Sequence, residues 1–326
     1  MIHGVSSQLN EEKRVILILH QSNGNQNTGL VRKACLKEGM EFLSLDVDTY
    51  PTEEYFSTNF QDGEASLCDK DGAMLDISGI FNGICLQIGK NVIDGVPEKY
   101  RNFVRYEMFD SLYGSLLSLH GITWMNLPQS HFLADIKNYQ LAIAKNVGFL
   151  IPETIISPDP SLLKEFWEKH KGRVISKAIH KGCLSAVGDL YEVIFTTVVE
   201  KTRLDLLDGS MPVMFQRYIE KKKEFRVAVV KNDVFSCTVG DGEEEVDWRV
   251  SETAIENSSL AELPVIIQES CRRVVASLGL SFGMLDIIQS IDGQYYFLEV
   301  NQQGVWTWME SQLGLPISQS IVHNLS

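Results

Sequence analysis

The sequence has no CxxC pair and no closely spaced cysteines. Its six (Cys35, Cys68, Cys85, Cys183, Cys237 and Cys271) are scattered, a pattern that fits reduced thiols better than a disulfide framework or a zinc site. No apolar run approaches the ~20 residues that a membrane helix needs. The stretch before Val15 lacks the apolar core of a signal peptide, so the expected address is the cytoplasm, with no membrane partner. Basic residues are in deficit: 29 Lys+Arg against 43 Asp+Glu leave a net charge of −14. That balance argues against nucleic acid as a partner, because a phosphate-backbone binder presents a basic face. A small anion in a local basic pocket stays open. Neither GxGxxG nor GxxxxGK[ST] occurs, and the polar loop 22–29 (SNGNQNTG) reads as a turn sooner than as a phosphate cradle. Internal repeats, low-complexity segments and long linkers are also missing.

What is present is ordinary for a globular protein, with 44% hydrophobic and 22% charged residues in 326 positions. That length accommodates two or three lobes. Arg14–Leu19 reads as a buried strand, followed by a helix from about Thr28 to Glu38 and a strand at Glu41–Leu45; this βαβ-like opening predicts an α/β lobe with a parallel sheet. A small hairpin is expected around Asp71-Gly72, joining Ala65–Leu67 to Met74–Ile77. Pro97–His120 reads as helix and Trp124-Met125 as a short strand. Ser130–Val147 has the spacing of one amphipathic helix. Asp159-Pro160 opens the next, with Asp as N-cap and Pro at N1. From Arg173 strands dominate: Val174–Ile179, Leu190–Phe195, Val213–Ile219 and Phe225–Thr238, the last broken at Asn232-Asp233. A helix at about Val199–Leu207 interrupts them, and Pro264–Leu278 is a further amphipathic helix. Trp306–Leu313 and Ile317–Asn324 close the chain.

The stretch 282–310 carries the strongest chemical signal. Two β-rich runs, Met284–Ile291 and Gln294–Asn301, flank Asp292-Gly293, a dipeptide suited to a type I′ hairpin turn. With a two-residue turn Ile291 faces Gln294, and counting outward sets Asp286 opposite Glu299, with Asn301 on the same face. Two carboxylates at roughly 5 Å Cβ spacing repel, and their neighbours are apolar. A cation or a proton between them resolves the conflict, and hard oxygen donors on rigid strands suit Mg²⁺. The alternative is an edge hairpin with both acids in water.

Other polar residues sit in apolar company. Lys177 lies inside an apolar strand, where an ammonium takes an anionic partner or snorkels to the surface. The small-residue loop after it, 180–188, offers backbone N–H groups to a polyphosphate or is a simple turn. Lys137 on its helix reads from composition as a solvated lysine. Gln216 places an amide in a β-rich run leading to the charge cluster Glu220–Glu224, itself readable as a solvated loop. Arg226 is a guanidinium in an apolar strand, where it pairs with carboxylate or phosphate or forms a structural ion pair. Arg249, in Asp247-Trp248-Arg249 after the acidic loop 241–245, could stand at the mouth of a site. Together these are the parts that hold Mg-nucleotide, where cations offset developing charge and positioning supplies most of the catalysis.

In this order the motifs resemble the ATP-grasp fold: an α/β chain of α+β lobes behind an N-terminal pre-ATP-grasp α/β domain. Lys137 with Gln140-Leu141-Ala142, Gly148 and Ile151-Pro152-Glu153-Thr154 resembles the helix bearing the first nucleotide lysine, and Lys177 the second lysine. Phe215-Gln216-Arg217-Tyr218-Ile219 resembles the hinge whose backbone meets adenine, with Glu224 near the ribose. Asp286, Glu299 and Asn301 match the magnesium ligands. A narrower resemblance, over nearly the whole chain, is to the microviridin-type (graspetide) peptide macrocyclases. It adds Leu45-Asp46-Val47-Asp48-Thr49-Tyr50-Pro51, Arg105-Tyr106-Glu107, Trp124-Met125-Asn126-Leu127-Pro128, Glu224-Phe225-Arg226 and Asp247-Trp248-Arg249. The most specific block is Glu299-Val300-Asn301-Gln302-Gln303-Gly304-Val305-Trp306-Thr307-Trp308 with Gly314-Leu315-Pro316-Ile317. The chain departs from the pattern at Ile80–Cys85, where a tryptophan and arginines are expected.

The resemblance implies three segments: a pre-ATP-grasp domain (1–127), a central lobe (128–212) and a C-terminal lobe with hinge and metal site (213–326). It implies ATP and Mg²⁺ as cofactors and a ribosomal precursor peptide, leader plus core, as partner. Asp or Glu side chains of that peptide would become acyl phosphates and close rings with Ser/Thr hydroxyls or Lys amines. Arg226 and Arg249 would steady the acyl phosphate. The leader would meet about Asp189–Asp208, where Asp189, Glu192, Asp205 and Asp208 could face basic residues or form a solvated face. A homodimer is expected. The competing readings are a carboxylate–amine ligase for a small metabolite or protein terminus, and a non-catalytic nucleotide- or peptide-binding protein.

Overall fold

A computed structural model describes residues 14–22, 26–83, 88–180, 194–240, 246–251 and 253–326. The loop 181–188, the acidic loop 241–245, Cys85, Cys183 and two of the expected leader contacts, Asp189 and Glu192, lie outside the described residues. The chain divides into two compact units, Met1–Pro128 with Ser318–Ser326, and Gln129–Ile317.

In the first unit the opening βαβ pattern yields a four-stranded parallel sheet in the order Phe42–Asp46, Val15–His20, Ile77–Asn82, Thr123–Met125. Ile16 to Leu19 are fully buried, as expected of a strand covered on both faces. The expected reversal at Asp71-Gly72 forms but is short, and a fuller hairpin precedes it. Strands Ser57–Gln61 and Glu64–Cys68 turn at Asp62-Gly63, both at positive φ (54° and 85°) as a primed turn requires. At Asp71-Gly72 the Asp69 carboxylate accepts from the N–H groups of Asp71 and Ala73. Cys68 pairs with Met74, flanked by bonds from Leu75 N–H to Leu67 O and from Asp69 N–H to Ala73 O (each 2.9 Å), before the chain runs on into the buried strand Ile77–Asn82. The last helix, Ile317–Leu325, returns to this unit and sets Leu325 against Gly79.

The second unit holds two antiparallel sheets. One has the order Thr154–Ser157, Val213–Arg217, Val174–Lys177, Thr197–Val198. The other runs Ser259–Leu260, Asp233–Thr238, Lys221–Val230, Phe282–Ser290, Tyr295–Asn301. Helices Lys137–Asn146 and Val265–Ser277 bury Leu141, Ala144, Cys271 and Val274 in one core with Phe225, Val227, Leu285, Ile287 and Phe297 of the larger sheet.

The continuous helix expected over 130–147 is two helices, Pro128–Ala134 and Lys137–Asn146, separated by an extended Ile136. Side-chain amides bind the end of the first helix: Gln140 Nε2 donates to Ala134 O, and Gln302 Nε2 donates to His131 O, which also accepts from Asp135 N–H. The break places Lys137 at the first turn of its own helix. The cluster at Glu220–Glu224 is not a solvated loop, since Lys221 already opens a strand and pairs with Glu224 at 2.6 Å, both side chains nearly buried. The helix expected at 199–207 shrinks to Lys201–Leu204.

Candidate active site

The terminal hairpin pairs Asp286 with Glu299 as expected, but by a different route. Its turn has three residues, not two. Gly293 N–H donates to Ser290 O, Ser290 N–H donates to Gln294 O, and Gly293 sits at φ 85°, the type I turn with a left-handed third residue. That turn alone would shift the register by one and face Asp286 with Leu298. A bulge at Leu298, where the pairing steps from Ile287–Phe297 to Asp286–Glu299, restores it.

The two acids are neutralised by different cations. Arg226, on the neighbouring strand and directly across from Asp286, donates to its Oδ1 at 2.5 Å. Gly304 makes room for this guanidinium: a Cβ there would stand 2.6 Å from Arg226 Nη2 and 2.7 Å from Met284 Cβ. Glu299 Oε2 lies 3.4 Å from Lys137 Nζ, which also donates to Ala178 O at 3.0 Å. Asn301 Nδ2 reaches Glu299 Oε1 at 3.3 Å. Burial pushes Asp286 above the ordinary carboxylate range, and Arg226 only partly offsets it. Burial acts the same way on Glu299, yet the fields of Lys177 and Lys137 prevail and hold it well below its usual value. Lys137 is itself lowered by burial, with Glu299 opposing. The two acids are thus pushed in opposite directions, Asp286 up by burial and Glu299 down by the lysines beside it.

A cleft of about 640 Å³ gathers Lys137, Lys177, Gln216, Glu224, Arg249, Asp286 and Glu299 among its lining residues. Gln216 and Glu224 are buried in its wall, and burial raises Glu224 despite its bond to Lys221. Arg249 is 45% exposed, and its guanidinium is gripped by Asp247 through two bonds, Nε to Oδ1 at 2.8 Å and Nη2 to Oδ2 at 2.6 Å. Other expected residues stand outside the lining. Arg226 is behind Asp286 and Asn301 beside Glu299. Arg217, Tyr218 and Ile219 border a separate cleft of about 670 Å³. Two hinge N–H groups are already engaged, Arg217 with Glu153 O (2.8 Å) and Tyr218 with Arg173 O (2.9 Å). Asp205 and Asp208 are described: Asp205 lies 3.6 Å from Lys164, and Asp208 accepts from Ser210 N–H.

Four contributors escaped the sequence reading. Asp247 caps the turn Trp248–Val250, orients Arg249 and accepts from Thr196 N–H; an acid two residues before the arginine was a usable signal. Lys221 neutralises Glu224. Gln140 bridges both backbone groups of Val300, donating to its carbonyl at 2.9 Å and accepting from its N–H at 3.0 Å, so the helix bearing Lys137 is locked to the residue between Glu299 and Asn301. Leu298 has no signal in the sequence, since nothing local marks a bulge.

The donor set fits a magnesium ion. Among the described residues no group of three or more His, Cys, Asp or Glu could cage a metal. Two carboxylates and an amide are what Mg²⁺ takes from protein when waters and phosphates fill the remaining positions.

No family model and no curated protein matches the chain. Solved structures do. A Chryseobacterium gregarium RiPP-associated ATP-grasp ligase, in complex with ADP and a leader and core peptide, is 30% identical over 96% of each chain, with a TM-score of 0.85. The Microcystis aeruginosa macrocyclase MdnC, bound with precursor peptide MdnA, is 26% identical over 95% of this chain and 99% of its own, TM-score 0.81. The macrocyclase MdnB of the same organism is 27% identical over 96% and 99%, TM-score 0.73. With full-length coverage and a cleft built around Lys137, Lys177, Asp286 and Glu299, this chain belongs to the RiPP-associated ATP-grasp ligases.

Proposed function

We propose that this enzyme uses Mg-ATP to phosphorylate Asp or Glu side chains of a ribosomally made precursor peptide, then closes rings on them. A peptide carboxylate oxygen attacks the γ-phosphorus and ADP leaves. A Ser or Thr hydroxyl, or a Lys amine, of the same peptide then attacks the acyl carbon, the bond from that carbon to the phosphate oxygen breaks, and phosphate departs with formation of an ester or amide. Each ring costs the peptide one water. The observation that carries this reading is the cleft that two lysines and an arginine share with two acids paired across one strand ladder. Support comes from the C. gregarium ligase, seen with ADP, leader and core peptide, and from MdnC, seen with its precursor.

Asp286, Glu299 and Asn301 would hold Mg²⁺, which when bound screens the charge on the phosphate oxygens. Lys137 and Lys177 would face the phosphates, Gln216 and the hinge Arg217–Ile219 the base, and Glu224 the ribose. Arg249, presented by Asp247, would steady the acyl phosphate and the tetrahedral oxyanion. Arg226 would act on the same charge through Asp286, whose carboxylate it holds. The division into segments 1–127, 128–212 and 213–326, a leader surface around 189–208 and a homodimer belong to this reading. No helix among the described residues is long and apolar enough to cross a membrane, and we place the reaction in the cytoplasm.

The test is to incubate the protein with ATP, Mg²⁺ and a precursor encoded beside its gene, and to weigh the product. Loss of one water per ring, with one ADP released for each, is expected. A product heavier by an added residue would replace this reading with a carboxylate–amine ligase.

A further inference from the structure

Beside the cleft, one hydroxyl decides which way a buried amide points. Gln216 is fully buried, and its strand neighbours on the sheet are Thr154 and Ile175. Its Nε2 and Thr154 Oγ1 are 2.9 Å apart, and Thr154 Oγ1 donates to Pro152 O at 2.8 Å. A carbonyl can only accept, so the single Thr154 hydroxyl proton is committed to Pro152. Toward Gln216 the oxygen can then only accept, and the amide must turn its NH₂ to Thr154. Its Oε1 is left buried with no partner. An unmet buried acceptor is costly, and Gln216 is part of the cleft wall, in the company of Ile175, Ile194 and Leu298.

We propose that Thr154 is a specificity-determining positioning residue: by fixing the Gln216 amide it makes the base end of the cleft an acceptor, matched to a 6-amino purine and mismatched to a 6-oxo purine. This rests on the nucleotide reading of the cleft. Adenine offers an N–H donor at its 6 position, whereas hypoxanthine offers a carbonyl oxygen, which would face Gln216 Oε1 acceptor to acceptor. The lock is two bonds deep, from Pro152 O through Thr154 Oγ1 to Gln216, and removing the hydroxyl releases it. Without Thr154 Oγ1 the amide can rotate its NH₂ toward the cleft and donate to a 6-oxo group. Loss of the lock should therefore improve binding of the wrong base as well as weaken binding of the right one.

The experiment is calorimetric titration of the full chain with ADP and with IDP, both with Mg²⁺, in wild type, Thr154→Val, Thr154→Ala and Thr154→Ser. Wild type should prefer ADP by on the order of tenfold or more, the size expected when a buried acceptor is left unmet. Thr154→Val should collapse the ratio toward one, with IDP binding more tightly than in wild type, and Thr154→Ala should do the same should the valine variant fold poorly. Thr154→Ser, which keeps the hydroxyl, should restore the preference. A variant merely loosened in its structure would weaken both nucleotides together, and that outcome overturns the proposal, as does a wild type that binds ADP and IDP alike. A wild type that binds neither nucleotide would instead overturn the nucleotide reading of the cleft itself.

Discussion

At Asp286 a buried carboxylate depends on one guanidinium, and the geometry leaves little slack. Asp286→Asn removes the partner of a buried charge, which typically costs about 3–5 kcal/mol. Denaturant melts should show that loss, and peptide dehydration measured in the cold should fall on the order of a hundredfold or more, as for other removed charge-stabilising groups. Wild-type turnover in Asp286→Asn or Glu299→Gln would refute the metal assignment. Gly304→Ala should act on the same contact from the other side: its methyl would enter the space of Arg226 Nη2, at an overpacking cost of about 1–3 kcal/mol. Glu299 predicts a pH effect. Its carboxyl is held below its unfolded value, so its contribution to stability is present above that value, ~4.3, and is lost as pH falls toward the folded pKa. The difference in melting temperature between wild type and Glu299→Gln should therefore shift with pH below ~4 in the direction of losing the wild-type advantage. A difference that is flat with pH would count against the hold of Lys177 and Lys137 on Glu299.

Among the elements, the terminal hairpin shows how far local pattern carries. Alternation of apolar and polar residues led to the Asp286–Glu299 pairing, yet through a two-residue turn that the structure replaces with three residues and a bulge at Leu298. The two departures cancel because each moves the register by one. What selection of buried faces demands is which side chains meet, and turn and bulge adjust to it. Gly293 has open space around it and a φ of 85°. Gly293→Ala should thus cost only backbone strain, roughly 1–2 kcal/mol in a thermal melt, with turnover per folded molecule unchanged. Gln140→Ala is the contrasting case. It strips both partners from the buried edge of Val300 and should raise the KM for ATP along with lowering stability by about 2 kcal/mol or more. The break between the two helices at Ile136 was not legible, because the apolar spacing runs through it and the amide that serves the Ala134 carbonyl comes from Gln140.

At the scale of the molecule, the described cysteines are all free, and three of them are buried. Burial pushes the Cys35 thiol up to about 11, and those of Cys237 and Cys271 up to about 12. Since the thiolate is the reactive form, an aromatic disulfide reagent at neutral pH should leave these three unlabelled until the protein is unfolded. Rapid labelling in native buffer would show that these cores open locally. The sequence by itself determined the class of both units, since strand and helix periods and the placement of acids and lysines in apolar runs are local properties of the chain. It also marked Asp286, Glu299 and Arg226 as ions in apolar company that needed charged partners, because a buried ion cannot stay alone, but left Lys137 and Glu224 looking solvated. Only the tertiary structure decided who those partners are: Arg226 for Asp286, Lys137 for Glu299, Lys221 for Glu224 and Asp247 for Arg249. Pairing across strands and between helix and sheet depends on register and approach, which no local spacing encodes.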